Sequence, residues 1–294
     1  MRYGIIDIGT NTIRGVAYER KGEKTEDKLV RSHILQETAD GCLSENGINR
    51  LIVVINKLVQ ILRSAECEKI GCFATSSMRD LKNKEEVKAI VRETTGIDID
   101  ILSGADEAEC DFTALRANIA ECSAIGTDLG GGSCQIVQFE QSRLISAESY
   151  DIGSNRLRRK FAENILPTAE ERKKMDFYIR NLLMDEKNLF GVRYLYAMGG
   201  SARAALKIFS VLTNTACEDK FLSVDMLDRL CKFSDREPER MYDIYTKIVK
   251  SYADTVISGV AILRTICDIF ASDGIYVVKC GVRDGYLEKM MKEN

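Results

Sequence analysis

The chain has 294 residues, 45% of them hydrophobic and 30% charged, and 42 Lys and Arg against 45 Asp and Glu leave a net charge of −3. That is the composition of a globular protein of two domains of roughly 150 residues, which excludes a disulfide-stapled miniprotein and a bulk basic field for DNA. The single histidine, His33, excludes an HExxH zinc site, and its polar setting without a nucleophile elbow leaves no place for a Ser-His-Asp triad.

In chain order, residues 4–8 read as a short apolar strand ending in Asp7-Ile8-Gly9-Thr10-Asn11, with 12–18 as the returning strand. Helical spacing of apolar residues predicts a helix over 51–65, then a strand at 69–75, an amphipathic helix over 85–95, an alternating strand at 97–102 and a helix over 106–120. The opening pattern then recurs: an apolar strand runs into Asp128-Leu129-Gly130-Gly131-Gly132-Ser133, and 135–139 is the returning strand. Next come a helix over 169–183, a strand at 194–198 entering Gly199-Gly200-Ser201, helices over 202–209 and 224–233, a mostly helical stretch 241–268, a β-rich run 274–280 and a short final helix. Strands and helices alternate throughout, so the fold class is α/β, and the recurrence implies duplicated halves. Only Pro167 and Pro238 occur and no Gly/Ser linker separates the halves. We place the domains at 1–122 and 123–294, with the last helix, about 283–294, expected to pack back on the first.

The ten cysteines contain no CxxC pair and lie mostly among apolar neighbours, so they read as reduced thiols of a cytoplasmic protein without a signal segment. Apolar runs fall well short of the ~20 residues that span a bilayer. Net charge describes only the average field, so a local basic patch for a polyanion stays open.

The two aspartate-glycine loops share a physical logic. Glycines permit positive φ and let backbone N–H groups approach an anion, and the Thr10 and Ser133 hydroxyls add donors, so each loop fits a phosphate. Asp7 and Asp128 suit Mg²⁺, which prefers a few carboxylates, waters and phosphate oxygens. The competing reading is that each turn closes a β-hairpin and each Asp caps it. Gly199-Gly200-Ser201 enters a helix whose N-terminal amides make a further anion site, or form a plain strand-to-helix turn. The basic run Arg156, Arg158, Arg159 and Lys160 guides a polyanion or is a solvated helix face.

Asp7-Ile8-Gly9-Thr10-Asn11-Thr12-Ile13-Arg14, Ala74-Thr75-Ser76-Ser77-Met78-Arg79-Asp80, Ser103-Gly104-Ala105-Asp106-Glu107-Ala108, Asp128 to Ser133 and Met198-Gly199-Gly200-Ser201 resemble, in order and spacing, the motifs of the exopolyphosphatase and guanosine pentaphosphate phosphohydrolase (Ppx/GppA) family. Asp254, Gly259 and Gly281-Val282-Arg283-Asp284-Gly285 carry the resemblance almost to the C-terminus. It implies duplicated ribonuclease H-like domains of the actin, sugar-kinase and acetate-kinase superfamily, with substrate in an interdomain cleft. It also implies release of terminal phosphate from inorganic polyphosphate, or of the 5′-phosphate from guanosine pentaphosphate, with Mg²⁺. Longer members add a C-terminal helical domain of the HD type, so this chain resembles a short two-domain form, with homodimerisation left open. In this setting Gly9, Thr10, Asn11, Arg14, Arg79, Gly130, Gly131, Gly132, Ser133, Gly199, Gly200 and Ser201 are the phosphate-binding candidates, and Asp7 and Asp128 the metal candidates. A guanidinium at Arg14 or Arg79 suits bidentate phosphate contact.

The chain also departs from the family pattern. Where members place a glutamate general base, this sequence has Asp106, one carbon shorter, and Ser103-x-x-Asp106 also fits a helix-capping pattern. Neighbouring Glu107 and Glu109 point in other directions and are not automatic replacements. Neutral Gln135 stands where a second carboxylate is expected, and Tyr252 where an arginine is frequent. Asp106 and Gln135 are therefore the catalytic candidates of a metal-assisted hydrolase. The alternative is a weakly active or inactive sensor of guanosine tetra- or pentaphosphate or polyphosphate, and a kinase of the same superfamily is disfavoured by Asn11 and Ser103-Gly104.

Overall fold

The structure, a computed structural model, describes residues 1–10, 12–19, 24–31 (as backbone), 37–183, 192–215, 217, 219–249 and 253–292. The chain divides into two compact units, Met1–Cys110 with Val282–Asn294, and Asp111–Gly281. The first division falls inside a helix, upstream of the 122/123 boundary read from the sequence.

The first unit runs β1 (Arg2–Ile8), β2 (Thr12–Glu19), β3 (Lys24–Arg31), β4 (Thr38–Ala39), β5 (Cys42–Leu43), α1 (Glu45–Ser64), β6 (Cys67–Ala74), α2 (Ser76–Arg79), α3 (Lys84–Thr95), β7 (Asp100–Ile101) and the start of α4 (Gly104–Asn118). Its main sheet has the order β3-β2-β1-β6-β7, with β1 antiparallel to β2 and parallel to β6. Helix α1 starts well before the predicted 51, because the Ser44 hydroxyl accepts from the Gly47 N–H at 3.2 Å and caps a polar first turn. Leu51, Ile55, Leu58 and Leu62, at helical spacing, are fully buried on the sheet, each stabilising the fold by roughly 1.5–3 kcal/mol. The strand predicted at 97–102 pairs only at Asp100–Ile101.

The second unit takes the rest of α4, then β8 (Ala124–Leu129), β9 (Cys134–Glu140), β10 (Arg143–Tyr150), α5 (Ser154–Phe161), α6 (Ala169–Leu183), β11 (Leu195–Met198), α7 (Gly199–Thr213), β12 (Phe221–Ser223), α8 (Val224–Arg236), α9 (Pro238–Val249), a 3₁₀ turn (Ala253–Thr255), α10 (Val256–Ile269) and β13 (Gly274–Val277). Its sheet order is β10-β9-β8-β11-β13-β12. Its first five strands repeat the order and directions of all five strands of the first sheet, with β12 added antiparallel at the edge, the pattern of a duplicated ribonuclease H-like unit. On one face of this sheet Leu115 of α4 lies where a side chain on Gly126 would be, 2.3 Å from a Cβ placed there, and Phe112 packs on Phe139 at 5.6 Å between ring centres.

The final helix, α11 (Val282–Lys292), belongs to the first unit. It covers the face of the first sheet opposite α1, where Tyr286 meets Phe73 at 4.8 Å between rings and Leu287 is buried. Gly285 is the point of closest approach: a Cβ there would lie 2.0 Å from the carbonyl oxygen of Cys110, which is backbone and cannot swing away. Gly285→Ala is therefore expected to destabilise the protein by about 1–3 kcal/mol, as overpacking does, read as a lower urea midpoint; an unchanged midpoint would contradict this docking of α11.

Candidate functional site

The second unit supplies the more complete anion geometry. After β8, Gly130 donates to the Ser133 carbonyl at 3.0 Å and closes a tight loop. The N-terminus of α5 grips this loop from one side: Ser154 N–H donates to Gly130 O at 3.0 Å, and Asn155 and Arg156 N–H donate to Gly131 O at 2.9 and 3.0 Å. Arg156 Nε completes the set on Gly132 O at 2.7 Å. Among the described residues no peptide bond is cis, and in a trans peptide the N–H points opposite to the preceding carbonyl. Three carbonyls turned toward α5 thus turn the N–H groups of Gly131, Gly132 and Ser133 away from it. None of these three amides has an acceptor among the described residues, the arrangement of a backbone anion nest.

Gly153 makes the grip possible. A Cβ at this position would lie 2.3 Å from the carbonyl carbon of Gly132 and 2.5 Å from that of Gly131. Sequence reasoning missed both Gly153 and the role of Arg156, whose basic neighbours are engaged elsewhere: Arg158 pairs with Asp254 at 3.6 Å, and Lys160 lies over the Tyr178 ring.

Asp128, at the end of β8, lies between two glycine backbones. A Cβ on Gly199 would stand 2.5 Å from Asp128 Oδ1, and one on Gly281 3.1 Å from Oδ2. Gly199 has φ +89°, a conformation glycine adopts without strain. From there α7 begins with no side-chain cap, and Ser201 is buried against Gly259 of α10. Gln135 is opposite Asp128 in the β8–β9 register. It is buried, and its amide donates to the hydroxyls of Ser133 at 3.1 Å and Ser149 at 2.7 Å. It tethers the last residue of the glycine loop.

In the first unit the equivalent strand position carries different electrostatics. Asp7 is opposite Arg14 in the β1–β2 register and accepts from Arg283 Nη1 at 2.8 Å. Burial pushes the Asp7 carboxyl up, opposed by the charges of Arg283 and Arg14. Gly9 N–H donates to Thr12 O at 3.0 Å, and Thr10 is buried; Asn11 lies outside the described residues. Arg79, on the one-turn α2, donates through Nη1 to Leu102 O at 3.2 Å and to buried Glu107 at 3.0 Å. Its other guanidinium nitrogens keep donors for a ligand. Glu107 and Arg283 are site residues that sequence reasoning left unassigned, although Arg283 stood in a quoted motif.

Asp106 is exposed and takes part in a capping box. Its Oδ2 accepts from the Ser103 hydroxyl at 2.6 Å and from the Ser103 N–H at 3.1 Å, while its own N–H donates to Ser103 Oγ at 3.1 Å. The Ser103 hydroxyl bond holds its carboxyl below the usual range.

Among the described residues no cluster of three His, Cys, Asp or Glu side chains is placed to hold a metal. Asp7 fits a cation poorly, because a guanidinium already occupies its carboxylate. Asp128 fits an ion that takes one carboxylate and draws its remaining oxygens from water and phosphate, as Mg²⁺ does. No described helix is long and apolar enough to cross a membrane. Gly153→Ala is expected to push the loop out of register, lowering phosphate affinity by about 10²-fold in calorimetric titration with tripolyphosphate; wild-type affinity would show that α5 does not set the loop.

Comparison with known proteins gives a consistent assignment. Exopolyphosphatase 1 of Mycobacterium tuberculosis is 31% identical over 168 residues, 55% of this chain and 49% of that protein, so the chain spans about half the length of the curated relatives it matches. The crystal structure of an exopolyphosphatase from Cytophaga hutchinsonii matches with a TM-score of 0.87 at 20% identity, covering 100% of this chain and 98% of that one. The Ppx/GppA family member from Aquifex aeolicus matches with 0.82 at 21% identity, covering 100% and 99%. At these identities the structural likeness is one of fold. The model of the Ppx/GppA phosphatase family matches residues 28–294, and the chain belongs to that family.

Proposed function

We propose that the protein is a phosphoanhydride hydrolase that releases terminal phosphate from inorganic polyphosphate or the 5′-phosphate from guanosine pentaphosphate. The observation that carries this reading is the braced glycine loop, with the amides of Gly131, Gly132 and Ser133 turned away from α5 and without an acceptor among the described residues. In phosphoryl transfer the protein contributes chiefly positioning and charge stabilisation, so preset amides are what the chemistry needs. The loop and the N-terminus of α7 bind phosphate oxygens, and Gln135 acts through Ser133 by fixing its hydroxyl. Asp128 would hold a divalent cation, which when bound compensates phosphate charge. Arg14, Arg79 and Arg283 supply guanidinium donors in the first unit.

Asp106 is the proposed water-orienting carboxylate. Its lowered pKa makes it a weak base that is ionised over the working pH range. A loose transition state asks little basicity of it, so its contribution is orientation through the oxygen that Ser103 leaves unused.

A second reading, a binding protein for the same phosphorylated ligands, draws on the same bonds. Both Ser103 donors hold one oxygen of Asp106, and Gln135 is a neutral tether where a carboxylate was expected. Phosphate release by wild type, Asp106→Ala and Asp106→Glu separates the two. The hydrolase reading expects the alanine variant to lose about 10²-fold or more in kcat and the glutamate variant to keep or gain activity. It also expects the acidic limb of the wild-type rate profile to lie below the ordinary Asp range. A depressed folded-state pKa keeps the active carboxylate, and the cap it forms, until pH falls through that lowered value. A wild type silent on every phosphorylated substrate, with activity arising only in Asp106→Glu, would establish the binding protein instead.

A further inference from the structure

The outer face of α7 carries a feature that the hydrolytic reading does not use. Positions 203, 206, 207 and 210 repeat at helical spacing on the side opposite buried Ala204, Ala205, Ile208 and Phe209. Together with Lys220, Val277 and Lys279 they line a cavity of about 660 Å³, within the range of roughly 300–1,000 Å³ typical of small-molecule sites. The N–H of Val277 donates to the Lys220 carbonyl at 2.8 Å, which fixes that lysine beside the end of β13.

Its charge runs against that of the whole molecule. Arg203, Lys207, Lys220 and Lys279 line the cavity, and no described Asp or Glu does, although the chain as a whole is acidic. Lys207, Lys220 and Lys279 make no ion pair with a described residue. Four like charges around one concavity raise the potential there and attract an anion. The walls are nevertheless not polar throughout: Leu206, Val277 and the exposed Val211 supply apolar surface. An inorganic phosphate chain has no use for such surface, whereas a ligand with a flat organic body and a phosphate tail matches both.

We propose that this groove is a second ligand site, distinct from the glycine-loop cradle, and that it holds a nucleoside phosphate, with the phosphates among the four cations and the base on Leu206, Val211 and Val277. Arg203 follows Ser201 by two residues on the same helix, so occupancy would bear directly on the first turn of α7. The inference stands apart from hydrolysis and would survive a wild type that releases no phosphate.

The test is calorimetric titration of the full chain with GTP and ATP, with inorganic tripolyphosphate as the phosphate-only probe. Wild type is compared with Lys207→Glu/Lys279→Glu and with the milder Lys207→Gln/Lys279→Gln; both lysines are exposed, which keeps the variants folded. Nucleotide affinity is expected to fall roughly tenfold or more in the reversed variant and less in the neutral one, and to weaken with salt. Tripolyphosphate binding at the glycine loop should be spared. Equal nucleotide binding by all three proteins, or no nucleotide binding by the wild type, would overturn the proposal. Loss of tripolyphosphate binding in step with nucleotide binding would overturn the assignment of a base-binding wall.

Discussion

The geometry of the second unit depends on three carbonyls held by one short helix. Glycine allows the loop from Gly130 to Gly132 many conformations; α5 selects one of them by taking all three carbonyl oxygens. Because each peptide is planar, holding a carbonyl also aims the following N–H. A loop of this composition without such a brace would have to be ordered by its ligand, at about 1–2 kcal/mol for each residue fixed. Here that ordering is completed by folding, which is what the proposed anion site would need to be preorganised.

Duplication has produced two loops with the same strand framework and opposite electrostatic purposes. Asp7 and Asp128 hold equivalent places at the ends of β1 and β8, and the residues opposite them in register are Arg14 and Gln135. In the first unit two guanidiniums surround the carboxylate, so the local field is cationic and suited to phosphate oxygens. In the second, the backbones of Gly199 and Gly281 stand on either side of the carboxylate, the position the proposed function gives to a cation. The neutral Gln135 is consistent with that division, since its amide serves the glycine loop.

Much of this was legible in the sequence because it is local. The two aspartate-glycine turns, the strand-to-helix glycines and helix 169–183 follow from spacing alone, and Ser103-x-x-Asp106 was readable as the cap it forms. What was not legible is long-range. The Arg283–Asp7 pair joins residues 276 positions apart, and the grip of α5 joins Gly153 to a loop that precedes it by a whole hairpin. Strand β10 escaped notice because its first residues are exposed at the sheet edge and lack a clean apolar alternation. The predicted strand 97–102 shrank to two paired residues, since apolar burial at Ile97 and Ile99 is met by packing rather than by a ladder.

The central claim, that preset amides of the glycine loop bind phosphate, is tested most directly by amide NMR of the protein titrated with tripolyphosphate. The account predicts that the resonances of Gly131, Gly132 and Ser133 move together and saturate, while the α5 amides that hold the loop keep their positions. Loop amides that stay unmoved at saturating ligand would contradict it.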